Sequence, residues 1–157
     1  MAAPPAARPE RHRLIVTGDP GAAERAAFCP FCTLDPAEII LEGALCFVMD
    51  TRDPVLVGSA MIVPRAHRET VFDLTPDEWA ETYTLLHQAR ALLDEQYAPD
   101  GYNVGWNCGA AGGQEVFHAH LHVIPRFQDE PLAGRGIRYA IKQPTNRRPG
   151  SVQSDGL

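Results

Sequence analysis

Basic residues are in short supply. Fourteen Lys and Arg face twenty Asp and Glu, a formal net charge of −6, and Lys142 is the one lysine among them. A general nucleic-acid binder is normally basic, so that class is disfavoured, although a local cationic pocket for a single nucleotide is not. Long apolar runs are also missing: no stretch approaches the roughly 20 residues needed to cross a bilayer. The first residues, with Pro4, Pro5 and Pro9 among Arg8, Arg11 and Arg13, lack the apolar centre of a secretory leader. Residues 1–27 therefore read as a loose tail, and the cytoplasm is the expected location. Without an export signal the four cysteines, Cys29, Cys32, Cys46 and Cys108, are not expected to form a disulfide framework, which leaves free thiols or metal ligands. Internal repeats are absent from the sequence.

What is present is the composition of a globular domain, 45% apolar and 22% charged over 157 residues. From Glu38 to Pro64, β-forming clusters (Ile39 to Leu41; Leu45, Phe47 and Met49; Ala60 to Val63) alternate with turn-like segments, which predicts an antiparallel meander. Thr75-Pro76-Asp77-Glu78 then opens a helix: Thr75 caps, Pro76 fits the first helical position, and Glu78 completes a capping box. Trp79, Tyr83, Leu86, Ala89, Leu93 and Tyr97 follow near the helical period, until Pro99 and Gly101 end it. Tyr102 to Asn107 and Val116 to Ile124 read as further strands around a Gly/Ala loop. Ile137, Tyr139 and Ile141 give an alternating strand pattern in an otherwise polar, Arg-rich end. The class is α+β.

Half of the six histidines fall in His118-Ala119-His120-Leu121-His122. On a strand, alternate side chains share a face about 7 Å apart, so the three imidazoles line one surface while Ala119, Leu121 and Val123 enter the core. Such a row suits either a metal or a nucleophilic imidazole oriented by its neighbours. The loop before it, Asn107 to Gln114, is small, Gly-rich and amide-ended. Backbone N–H groups and amides beside imidazoles suit phosphorus chemistry, where charge builds on non-bridging oxygens. Cys29-Pro30-Phe31-Cys32 is a second chemical signal, by itself equally a metal chelate or a redox pair.

The run Gly113-Gln114-Glu115-Val116-Phe117-His118-Ala119-His120-Leu121-His122-Val123-Ile124-Pro125-Arg126 resembles the signature of the histidine triad superfamily. The resemblance extends back through Cys29 and covers roughly residues 28–127, leaving residues 128–157 as a C-terminal extension. It implies an antiparallel sheet of about five strands with one long helix, completed by dimerisation, and a small nucleotide as substrate rather than nucleic acid or membrane. By the same resemblance His120 attacks the α-phosphorus to form a nucleotidyl-histidine. His122 assists at the phosphate, and Asn107, Gly113 and Gln114 surround its oxygens. Phe31 and Phe47 enclose the base, and Asp50, chosen over Asp53, holds the ribose hydroxyls. The zinc-bearing branch supplies two histidine ligands to its Cys pair, here matched by His67 and His118, so that Cys29, Cys32, His67 and His118 would close a structural zinc site. Relatives often carry Ser or Thr after the glutamine, where Glu115 stands here; a carboxylate there repels a polyphosphate or holds a cationic leaving group such as the amine of a phosphoramidate. Arg135, Arg138, Lys142, Arg147 and Arg148 in the extension are candidates to meet phosphate, or else form a solvated tail. Three activities fit: a nucleotide hydrolase acting on phosphoramidates, dinucleoside polyphosphates or nucleotidyl adducts; a nucleotidyltransferase or phosphorylase with phosphate or a sugar phosphate as acceptor; and a non-catalytic nucleotide-binding zinc module.

Overall fold

In the computed structural model, which describes residues 27–149, the β-rich stretch forms three antiparallel strands: β1 (Ile39–Glu42), β2 (Cys46–Asp50) and β3 (Ala60–Pro64). The tail expected over 1–27 lies, but for residue 27, outside the described residues, as do His12 and residues 150–157. The turn between β1 and β2 is clamped from the helix. One carboxylate, Glu81, accepts the backbone N–H groups of Ala44, Leu45 and Cys46 at 2.9, 2.6 and 2.6 Å. A Cβ at Gly43 would stand 2.7 Å from Glu81 Cδ, so the close approach requires glycine there.

Helix α1 (Pro76–Tyr97) begins as its sequence predicts: Thr75 Oγ1 accepts from Glu78 N at 3.2 Å, and Glu78 Oε2 accepts from Thr75 N at 2.7 Å. It ends with Ala98 in the left-handed region, φ 47°, just before Pro99. Strands β4 (Gly101–Trp106) and β5 (Leu121–Arg126) complete a five-stranded sheet of order β1-β2-β3-β5-β4, antiparallel throughout. Alternation gives the sheet two different faces. One packs Cys46, Val48, Ala60, Ile62, Leu121 and Val123 against Leu85, Ala89 and Leu93 of α1. The other carries Phe47, Met49 and Val63 with Phe31, Leu34, Ile39 and Met61.

Two strand boundaries differ from expectation. Strand β5 starts at Leu121 rather than Val116, because the preceding backbone bonds elsewhere: His118 N to Val116 O at 2.8 Å and Ala119 N to Arg68 O at 2.6 Å. It runs past Pro125 to Arg126, since pairing with β3 has already stopped at Ala60↔Val123 and proline owes no donor on that side. The alternating pattern at Ile137, Tyr139 and Ile141 is not a strand but a short helix, α2 (Arg138–Ile141). Its backbone bonds are local, Tyr139 N to Gly136 O and Lys142 N to Arg138 O, and no strand among the described residues pairs with it.

Candidate active site

Residues directly opposite one another in an antiparallel pair share a face. His122 pairs with Met61 of β3 and Gly105 of β4, and Leu121 and Val123 point to α1, so His122 stands on the face away from the helix. His120 and His122 meet there edge to face, ring centroids 4.8 Å apart. His120 is 7% exposed, and its Nδ1 lies 2.8 Å from the His118 carbonyl oxygen. That oxygen only accepts, so Nδ1 carries the proton and Nε2 keeps its lone pair for attack. His122 Nε2 is buried with no hydrogen-bond partner among the described residues. Burial and then the charge of nearby His120 push its pKa below the ordinary histidine value. A buried ring nitrogen left without a protein partner is available to a ligand atom.

Gly109 (φ 70°) and Gly113 (φ 82°) both take left-handed backbone to bend the loop between β4 and the triad. Asn107 Nδ2 donates to Gly113 O at 3.2 Å, which uses one amide proton and leaves the second for a ligand. Gln114 is differently employed. Its Nε2 donates to Glu69 O at 2.6 Å and Val116 O at 3.1 Å, and its Oε1 accepts from Gly109 N at 2.8 Å. Both amide protons are spent, so this 3% exposed side chain braces the loop rather than reaching a phosphate. Glu115 is exposed.

Cys29, Cys32, His67 and His118 converge, each offering one ligand atom, with the four atoms within 4.8 Å of one another. His118 Nδ1 lies 3.4 Å from Cys29 Sγ and 3.5 Å from Cys32 Sγ, and His67 Nδ1 lies 3.3 Å from Cys32 Sγ. His118 Nε2–H donates to Pro64 O at 2.8 Å, which turns the Nδ1 lone pair toward the thiols. Burial, with His67 and His120 adding to it, pushes the His118 pKa down to about 4, so the ring is neutral and able to ligate. Burial, reinforced by Cys29, pushes the Cys32 thiol up to about 11. Two imidazoles meeting a Cys pair are the donor set of a tetrahedral metal site rather than of a redox dithiol.

Phe31, between the two cysteines, lies edge-on to His118 and His120 at 5.8 and 5.2 Å. Phe47 is on the same face, 4% exposed, with the Arg65 guanidinium 5.5 Å from its ring centre. Asp50 is not brought to the triad. It pairs with Ala60 on the helix-facing side, and its Oδ1 accepts from Arg52 N at 2.8 Å. Asp53 closes its own turn, accepting from Val55 N and Leu56 N. Sequence reasoning missed the brace behind the triad. Arg68, whose carbonyl receives Ala119 N, donates from Nε to both Glu78 oxygens at 3.1 and 3.0 Å. Burial raises the Glu78 pKa, but Arg68 and the Thr75 backbone outweigh it and leave the carboxyl below its usual range. The cap signal located Glu78; nothing local announced its second partner.

Residues 33–129 match the HIT domain family. An uncharacterised 16.1 kDa HIT-like protein of Mycoplasma pneumoniae is 32% identical over 124 residues, 76% of this chain and 83% of that one. The protein named adenylylsulfatase HINT3 of Arabidopsis thaliana is 28% identical over 108 residues, which cover 66% of this chain and 55% of that enzyme. Among solved structures, a zinc-bound histidine triad family protein of Mycobacterium smegmatis superposes with a TM-score of 0.61 at 28% identity, over 71% of this chain and 84% of that one.

Proposed function

The chain belongs to the HIT family, and from that premise we propose that it is a nucleotide hydrolase whose His120 attacks the α-phosphorus of a nucleoside phosphoramidate, dinucleoside polyphosphate or related nucleotidyl adduct. The observation that carries this is the His120 Nδ1–H bond to the His118 carbonyl, which leaves Nε2 unprotonated on the open face of the sheet. As Nε2 forms the bond to phosphorus, the bond to the leaving group breaks and its electron pair departs with that group. His120 gains positive charge, and the His118 carbonyl steadies it through Nδ1–H. Water then attacks the phosphorus of the nucleotidyl-histidine, losing a proton as the P–N bond breaks and returning free His120. The buried His122 Nε2 and the second Asn107 amide proton supply contacts for phosphate oxygens. Phe31 supplies apolar surface for the base, backed by the buried Phe47 cluster it packs against.

Cys29, Cys32, His67 and His118 would hold a zinc ion. Four protein ligands close its coordination shell, so its contribution is to tie the triad to the N-terminal segment. Purified protein never exposed to chelator should contain about one zinc per chain, and elemental analysis finding none rules the site out. The exposed aromatic side of α1, where Trp79 is 52% and Tyr83 64% exposed and Trp79 stacks on Trp106, supports a homodimer packed through this helix. Brief reaction with substrate radiolabelled at the α-phosphate should trap an acid-labile, alkali-stable label on the protein. A label mapping to a residue other than His120 ends the proposed mechanism. Running the same reaction with and without inorganic phosphate separates water from phosphate as the acceptor.

A further inference from the structure

Three carbonyls from one short stretch of chain hold the triad segment. Pro64 O accepts His118 Nε2–H at 2.8 Å, Arg68 O accepts Ala119 N–H at 2.6 Å, and Glu69 O accepts a Gln114 amide proton at 2.6 Å. Past Pro64, at the end of β3, this stretch is neither helix nor strand, so no ladder fixes where its carbonyls point. Side chains tie it down instead. His67 is drawn into the cysteine cluster, and Arg68 reaches helix α1.

Its partner there is Glu78, 4% exposed and fixed in the first turn by the Thr75 N–H at 2.7 Å. Both Glu78 oxygens accept from Arg68 Nε, at 3.1 and 3.0 Å. A buried carboxylate resists losing a cationic partner, because parting them leaves its charge uncompensated. The start of the helix thereby fixes the backbone of Arg68.

The N–H that Arg68 O accepts belongs to the same peptide unit whose carbonyl meets the nucleophile. Ala119 N–H points to Arg68 O, and His118 O accepts His120 Nδ1–H at 2.8 Å. A peptide that donates through its N–H becomes a better acceptor at its oxygen, since each hydrogen bond in a chain polarises the next. We propose that Arg68, clamped by Glu78, is a positioning residue for His120: its carbonyl aligns and polarises the His118–Ala119 peptide and so steadies the positive charge that His120 takes on as it attacks. The role rests on the proposed attack by His120.

The test compares Arg68→Met, Arg68→Lys and Glu78→Gln with wild type in the full chain. Arg68→Met should lower kcat about tenfold and leave KM and AMP affinity within about twofold, because the charge it steadies develops only in the transition state. Arg68→Lys keeps the ion pair and should regain most of the rate. Adding Glu78→Gln to Arg68→Met should cost no further rate, since the two side chains act as one unit. In proton NMR of protein carrying isotope-labelled histidine, the His120 Nδ1–H signal should move upfield in Arg68→Met as its acceptor weakens, and return in Arg68→Lys. A signal that stays at its wild-type position overturns the positioning role whatever the rate does, as does a loss confined to KM. Should Arg68→Met not fold, Glu78→Gln gives the same two readouts, in the same direction and smaller. If the signal moves while the wild type turns over no nucleotide, the positioning of His120 stands and the hydrolase reading fails.

Discussion

The two faces of the sheet are built from the same strands by opposite rules. Toward α1, Val48, Ala60, Ile62, Leu85, Ala89 and Val123 are buried apolar groups, each large one contributing about 1.5–3 kcal/mol by leaving water. Toward the triad, the same strands present His122 with its orphaned nitrogen beside the Phe47, Met49 and Val63 cluster, and the segments flanking them bring further imidazoles, two thiols and glycines in left-handed backbone. One residue's shift along a strand exchanges these faces. Stability and reactivity are thus segregated by strand periodicity, and substitutions on the two sides should fail in different ways.

The largest effect should come from the open face. His120→Ala is expected to lower kcat by at least about 10³-fold, as losing a nucleophile does, with thermal unfolding barely moved. A variant that keeps a tenth of the wild-type rate would show that the triad face is not the reactive one. From the helix side, Leu85→Ala, at a position 2% exposed, should cost about 2–5 kcal/mol by denaturant unfolding while folded protein keeps its turnover. Equal losses of rate and stability would mean that the two faces are not separable.

Gln114→Ala sharpens the comparison because its side chain lies behind the open face yet does structural duty. Losing three hydrogen bonds should cost about 1–3 kcal/mol and lower activity with it, the rate and the unfolding midpoint falling together. A large rate loss at unchanged stability would return Gln114 to direct phosphate contact. The smallest effect is expected at Glu78, which joins the faces through Arg68. Its folded pKa is depressed, so its contribution is present above the unfolded value of about 4.3 and is lost as pH falls through the folded value. Glu78→Gln should therefore flatten the stability profile on the acid side of that range. A profile parallel to wild type would show that other carboxylates set the acid limit.

Much of this was legible locally. Thr75-Pro76-Asp77-Glu78 announced the helix start because a capping box uses only its own four residues. The alternation of Leu121, His122 and Val123 separated core from site because strand geometry has a period of two. Gly109 and Gly113 sit where backbone must go left-handed. Short-range patterns failed where the partner was distant. The isolated apolar positions at Ile137, Tyr139 and Ile141 could not reveal that no strand would pair with them, and the bend at His118 depends on Arg68 and Pro64.

By itself, then, the sequence determined the long helix, the strands apart from the start of β5, the triad and the Cys pair, all of which follow from spacing along the chain. Only the tertiary structure decided which amide protons remain free. It spent both of Gln114's on carbonyls of Glu69 and Val116, turned Asp50 toward the helix, gathered His67 to the cysteines, and laid Ile137 over Gly105, the cross-strand neighbour of His122. The reason is physical. A hydrogen bond or a shared cavity joins groups tens of residues apart, and no local periodicity encodes which of several chemically suitable partners the packed chain will bring within 3 Å.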